Sequence, residues 1–151
     1  PVTDMTTTHR LAIQKLHPAA SAPERATPGS AGYDLRACLA VTIPPRGRAM
    51  VPLGFAWAGP PGFVGLVFSR SGHGAKHGLR LSNSVAVVDV DYRGEIKLSI
   101  TNDGDQPYSV EAGERIAQLL LMPVEHASFH WVDTLGATVR GAGGFGSTGR
   151  T

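Results

Sequence analysis

EIKLSIT, residues 95–101, alternates apolar Ile96, Leu98 and Ile100 with polar Lys97 and Ser99. A two-residue period is that of a β-strand with one face on a core and the other in water. Working outward, similar short runs recur: LAIQKL (11–16), LAVTI (39–43), AMVPLGFAW (49–57), FVGLVF (63–68), VAVVDV (85–90), RIAQLLLMPV (115–124) and HASFHWV (126–132). Nineteen glycines and eleven prolines punctuate the chain, so no helical period lasts the ten to twelve residues a typical helix needs. Many short strands between turn signals predict an all-β sandwich or barrel. Only SGHGAKHG, after Arg70, has room for a turn or two of helix, and its glycines keep it short. From Thr138 onward apolar residues nearly vanish, which predicts a flexible C-terminal arm.

A chain of 151 residues that is 42% hydrophobic suits one domain with one core. No apolar run approaches the length of a membrane span, and LAIQKL is too short for a signal-peptide core, so a soluble, cytoplasmic protein is expected. The single Cys38 can form no internal disulfide, in keeping with a reducing compartment. A net charge of +2 without any Lys/Arg block argues against a nucleic-acid surface and leaves room for a small anionic ligand. Residues 1–4 precede Met5 and are expected to be an expression remnant, because MTTTHRLAIQKL reads as a natural start.

Four segments carry residues suited to chemistry. In RGAGGFGSTGR (140–150) glycines let backbone amides converge on an anion, Ser147 and Thr148 add hydroxyls, and Arg140 offers a planar fork for phosphate. Phe145 can stack on a base; a plain mobile terminus explains the same composition. SRSGHGAK (69–76) sets Arg70 and Ser71 before a helix start, either an anion seat or an ordinary N-cap. His73 and His77 lie four apart, as metal ligands on a helix do, but no Glu follows His73 and no third ligand is evident. VVDVDYRGE (87–95) carries Asp89 and Asp91 two apart on a strand, suited to a divalent ion or to taking a proton from water, or equally to turn closure. AGYDLRA (31–37) adds Asp34.

In order, AGYDLRA (31–37), SRSGHGAKHG (69–78), NSVAVVDVDYRGE (83–95), GERIAQL (113–119) and RGAGGFGSTG (140–149) resemble the five motifs of the trimeric dUTP pyrophosphatases (dUTPases). The resemblance implies a jelly-roll-like β-sandwich with one short helix, residues 5–137, and a flexible arm, residues 138–151. It implies a homotrimer whose active sites are shared between subunits, and hydrolysis of dUTP to dUMP and pyrophosphate with Mg2+. That reaction limits uracil in DNA and supplies dUMP.

Carried over motif by motif, Asp89 is the implied general base for the water that attacks the α-phosphorus, and Asn83 lies in the uracil pocket. Tyr92 packs on the deoxyribose and excludes a 2′-hydroxyl. Arg70, Ser71, Gly72 and Gln118 face the phosphates or the water. Asp34 reaches the metal through a water rather than directly. In the arm, Arg140 contacts the γ-phosphate, Phe145 stacks over uracil, and Gly146, Ser147 and Thr148 wrap the phosphates.

The chain departs from the usual pattern at Ser69, where Pro is common, at His73, where an aliphatic residue is usual, and at Ala86, where Gly is common. The added methyl of Ala86 is expected either to narrow the uracil pocket or to shift the hairpin, reducing the fit at most. Two other readings stay open: a dCTP deaminase-related enzyme, and a non-catalytic nucleotide- or protein-binding regulator on the same scaffold.

Overall fold

The alternating run becomes a strand over Lys97–Asn102, with Leu98 and Ile100 buried and Ile96 buried just ahead of it. The computed structural model describes residues 9–149. The expected remnant at 1–4, the start of the expected domain at 5–8 and the arm's last residues, 150 and 151, lie outside the described residues.

In chain order the strands are β1 (Ala12–Lys15), β2 (Tyr33–Arg36), β3 (Val41–Ile43), β4 (Arg48–Pro52), β5 (Phe55–Ala58) and β6 (Phe63–Ser69). After helix α1 (Ser71–His77) come β7 (Leu79–Leu81), β8 (Ala86–Val88), β9 (Lys97–Asn102), β10 (Tyr108–Val110) and β11 (Arg115–Pro123). They form a four-stranded sheet in the order β2-β11-β6-β8, a three-stranded sheet β4-β9-β7, and the pairs β1-β5 and β10-β3. All the pairings are antiparallel. One apolar cluster draws Leu35, Val67 and Leu119 from the first sheet, Val51, Leu81 and Leu98 from the second, and Trp57, Ile43 and Val110 from the pairs. The all-β class with one short helix is therefore the observed one.

Three differences from the sequence reading have local causes. AMVPLGFAW is two strands, because at Leu53–Gly54 the chain changes partners from β9 to β1. Gly54 has φ +75°, and a Cβ there would press on His17, Ala20 and Cys38, so only glycine fits the corner. HASFHWV forms no strand: a strand needs a partner edge, and among the described residues none pairs with it. Phe129 and Trp131 stand 95% and 101% exposed. Conversely β2, β7 and β10, three or four residues each, are too short for a period to register.

Helix α1 stops where expected. Gly78 takes the left-handed conformation, φ 65°, and its N–H returns to the Gly74 and His73 carbonyls. Among the described residues no helix is long and apolar enough to cross a membrane.

The third inward position of β9 is polar. Asn102 is 1% exposed, and its Nδ2 donates to the Ile43 carbonyl at 3.3 Å and the Gln106 carbonyl at 2.7 Å, while its Oδ1 accepts from the Gly104 N–H at 2.9 Å. The carboxamide ties β9 to β3 and to the turn before β10. Replacing Asn102 with Ala strands a buried carbonyl and an amide, and is expected to lower stability by about 2–4 kcal/mol. Urea unfolding of wild type and Asn102→Ala at one protein concentration checks this; a loss below about 0.5 kcal/mol contradicts it.

Candidate active site

Strand β11 is paired on both sides, with β2 and with β6. Its register slips between Arg115 and Ala117, a β-bulge that places one extra residue in β11. Strict alternation would turn Arg115 inward with Ala117. The bulge lets Ile116 and Ala117 both enter the core and leaves Arg115 on the same side as Gln118. Opposite them on β2 stand Arg36, facing Arg115, and Asp34, facing Gln118.

Polar groups converge there. Arg115 Nη1 donates to Asp34 Oδ2 at 3.1 Å, and Arg70 Nε lies 3.8 Å from Asp34 Oδ1. Arg70 Nη1 donates to the Arg115 carbonyl at 2.9 Å, and Gln118 Nε2 to the Ser69 carbonyl at 3.0 Å. Arg70 occupies the N-cap position of α1 with extended backbone, its side chain turned to β11, so Ser71 and Gly72 open the helix in an exposed position. Arg36, Arg70, Gly72, Lys76 and Arg115 line an open depression of about 500 Å³, which also borders His73. Its cationic rim suits an anion with several oxygens.

A second depression, about 470 Å³, lies along β8 and the turn after it, lined by Asn83, Ala86, Asp89, Tyr92, Glu95 and Lys97 among others. Asp89 follows β8 with an exposed side chain, while its backbone carbonyl accepts from Trp57 Nε1 at 3.3 Å and from the Tyr92 N–H at 3.2 Å. Tyr92 is folded back over Gly94, where a Cβ would collide with the ring, and its hydroxyl donates to the Glu95 carbonyl at 3.1 Å. Arg93 Nη1 donates to the Val90 carbonyl across the turn after β8. The Ala86 methyl faces this depression, half-buried, opposite Val67 of β6.

The two depressions share no lining residue. Of the residues singled out from sequence, Arg70, Gly72 and Asp34 gather with Gln118 around β11, and Asn83, Asp89 and Tyr92 gather around β8. The arm's described residues, 138–149, line neither depression. Arg140 Nε donates to the Gly143 carbonyl at 2.8 Å, a turn runs from Gly144 to Ser147, and Phe145 is 115% exposed with φ 50°. Gly146 follows with φ 86°, and Ser147 and Thr148 are exposed.

Sequence reasoning missed two supports. Gly65 lies against Trp57, where any Cβ would strike the indole, and the ring so seated holds the Asp89 carbonyl. The β11 bulge was equally unseen; adjacent Ile116-Ala117 between two polar residues was its signal. Among the described residues no group of three or more His, Cys, Asp or Glu could hold a metal unaided.

A family model described as dUTPase matches residues 19–149. The deoxyuridine 5′-triphosphate nucleotidohydrolase of Bordetella avium is 48% identical over 132 residues, covering 85% of this chain and 89% of that protein. Its counterpart in Tolumonas auensis is 49% identical over 131 residues, covering 85% and 87%. The structure of the Staphylococcus bacteriophage 80alpha dUTPase with dUPNHPP aligns with TM-score 0.87 at 30% identity, over 95% of this chain and 100% of that one. On a family match across most of its length and relatives near half identity, the chain belongs to the dUTPase family.

Proposed function

We propose that this chain hydrolyses dUTP to dUMP and pyrophosphate, as a cytoplasmic homotrimer whose active sites combine residues of different subunits. The observation that carries the shared site is the separation of the two depressions on one chain, with the arm's described residues lining neither. The exposed Phe129, Trp131, Leu135 and Val139 support association, since apolar side chains so bare call for a covering surface, and a second copy supplies one. In this reading residues 5–137 form the β domain and 138–151 the arm that closes a neighbour's site.

The nucleotide's uracil and sugar occupy the β8 depression, with Asn83 at the base edge and Tyr92 against the ribose ring. Tyr92, its ring seated over Gly94 and its hydroxyl bonded to the Glu95 carbonyl, stands where it would crowd a 2′-hydroxyl. Arg70, Ser71, Gly72 and Gln118 hold phosphate oxygens, and Arg140, Phe145, Gly146, Ser147 and Thr148 close over the nucleotide. Asp89 accepts a proton from water as its oxygen bonds the α-phosphorus. The bond from that phosphorus to the bridging oxygen breaks, and pyrophosphate leaves with the bond's electron pair. The bond from Trp57 to the Asp89 carbonyl holds the backbone from which the carboxylate extends.

The carboxylate of Asp34, beside Arg115 and Arg70 where the phosphates are assigned, is an oxygen group that would reach a magnesium ion carried by the triphosphate through a bound water. When bound, the ion neutralises charge on the phosphate oxygens.

Pyrophosphate release with magnesium, compared across dUTP, dCTP, dTTP and UTP, tests the assignment: release from dUTP alone is expected, and ammonia from dCTP would instead identify a deaminase. Asp89→Asn is expected to reduce turnover by about 10²–10⁴-fold while dUTP binding persists, as equilibrium binding measures; near-normal turnover contradicts the base assignment. Deleting residues 141–151 is expected to cut turnover severely while light scattering still reports a trimer, and a fully active truncated chain contradicts the arm's role.

A further inference from the structure

Helix α1 is seven residues long, contains Gly72 and Gly74, has no side-chain cap at its start and no acidic residue in its first turn. Such a peptide has little helical stability of its own. Six of its seven residues are exposed, and the exception is His73, whose side chain is 12% exposed. Of the side chains within the helix, His73 is therefore the one drawn in from solvent.

His73 Nε2 lies 2.8 Å from Glu114 Oε1, in the turn between β10 and β11. A carboxylate only accepts, so the imidazole donates from Nε2. The same oxygen accepts from the Tyr108 hydroxyl at 2.6 Å, and Oε2 accepts from the Glu111 N–H at 2.9 Å. Burial alone would raise the Glu114 pKa, but the bonds from His73, Tyr108 and the Glu111 amide outweigh it and hold the carboxyl below its usual range. Burial, followed by the bond to that carboxylate, pushes the Tyr108 hydroxyl up to about 12, so it stays a donor. The Tyr108 ring also packs on both imidazoles, 5.9 Å from His73 and 4.9 Å from His77 between centroids. Glu114 is thus a fixed post, three donors deep, one residue before Arg115 and four before Gln118.

We propose that His73 is a positioning residue for dUTP hydrolysis: its bond to Glu114 fixes the Arg70–Ser71–Gly72 segment against β11 and so sets the spacing of the groups that receive the phosphates. The inference rests on the phosphate assignment above. An aliphatic side chain at 73 fills the same space without the bond, leaving the Arg70 bond to the Arg115 carbonyl as the side-chain hydrogen bond that ties this segment to β11. Arg70 then carries two tasks, tying the helix to the Arg115 carbonyl and answering the charge of Asp34 and the nucleotide.

The test compares wild type, His73→Leu and His73→Gln in magnesium, reading kcat and KM for dUTP and the affinity for deoxyuridine, which has no phosphate. His73→Leu is expected to lose about tenfold to a hundredfold in kcat/KM, because ångström-scale misplacement of binding groups carries that penalty. Deoxyuridine affinity is expected to stay within about twofold, since the β8 depression is built from other residues, and His73→Gln, which retains an N–H donor, to recover most of the loss. Equal losses for deoxyuridine and dUTP, a fully active His73→Leu, or a His73→Gln no better than His73→Leu would each overturn the proposal. If His73→Leu does not fold, Tyr108→Phe, which removes one donor orienting Glu114, is read by the same ratio, and an unchanged ratio overturns it. A wild-type chain that fails to turn over dUTP refutes the assigned activity itself, whereas an active wild type with an unmoved ratio refutes only the role of His73.

Discussion

The two-sided pairing of β11 is the constraint on which the rest of the molecule depends. A strand with a partner on each edge has its register fixed twice, and in antiparallel pairs each residue faces a set neighbour. Gln118 therefore stands between Asp34 of β2 and Phe68 of β6, and the end of β6 delivers Ser69, Arg70 and the start of α1 to the same place. The bulge at Ile116 adds the second condition. It buries two consecutive side chains in the core and turns the Arg115 guanidinium toward Asp34. A packing requirement inside the core thus determines the charge arrangement outside it.

Buried polar groups do comparable work elsewhere in the fold. Asn102 satisfies three backbone groups where two strands and a turn meet, and Trp57 spends its indole N–H on the Asp89 carbonyl while its ring fills the space that Gly65 vacates. Both devices use a side chain to hold backbone that no ladder bond reaches. In the turn after β8 this holds the backbone that carries Asp89 while leaving its carboxylate open to water.

Much of this was legible in the residues. The alternation of Ile96, Leu98 and Ile100 gave the strand and its inner face, and the glycines of SGHGAKHG gave the helix its brevity and its stop. The order of the motifs named the family before any coordinate did. What stayed hidden was non-local. Nothing in AMVPLGFAW says that its middle is a corner, because the reason lies with His17, Ala20 and Cys38 pressing on Gly54. Nothing near His73 announces Glu114, 41 residues away, so a histidine weighed as a doubtful metal ligand is instead a mooring of the helix. HASFHWV has the composition of a strand and lacks only a partner, which is a property of the assembly rather than of the segment.

The same distinction governs the arm. From 138 to 149 it offers two large apolar side chains, Val139 and Phe145, both fully exposed on one chain. Burying a phenylalanine is worth about 1.5–3 kcal/mol, whereas fixing the backbone of each residue costs about 1–2 kcal/mol, and more at glycine. One stacked ring therefore offsets the ordering of about two residues and cannot hold the segment down. The remaining contribution has to come from charge-assisted bonds between Arg140, the backbone amides and a multiply charged ligand. On the reading proposed above, an arm so composed orders when a triphosphate supplies those acceptors and loosens once pyrophosphate has left, so that its sparse apolar content serves product release.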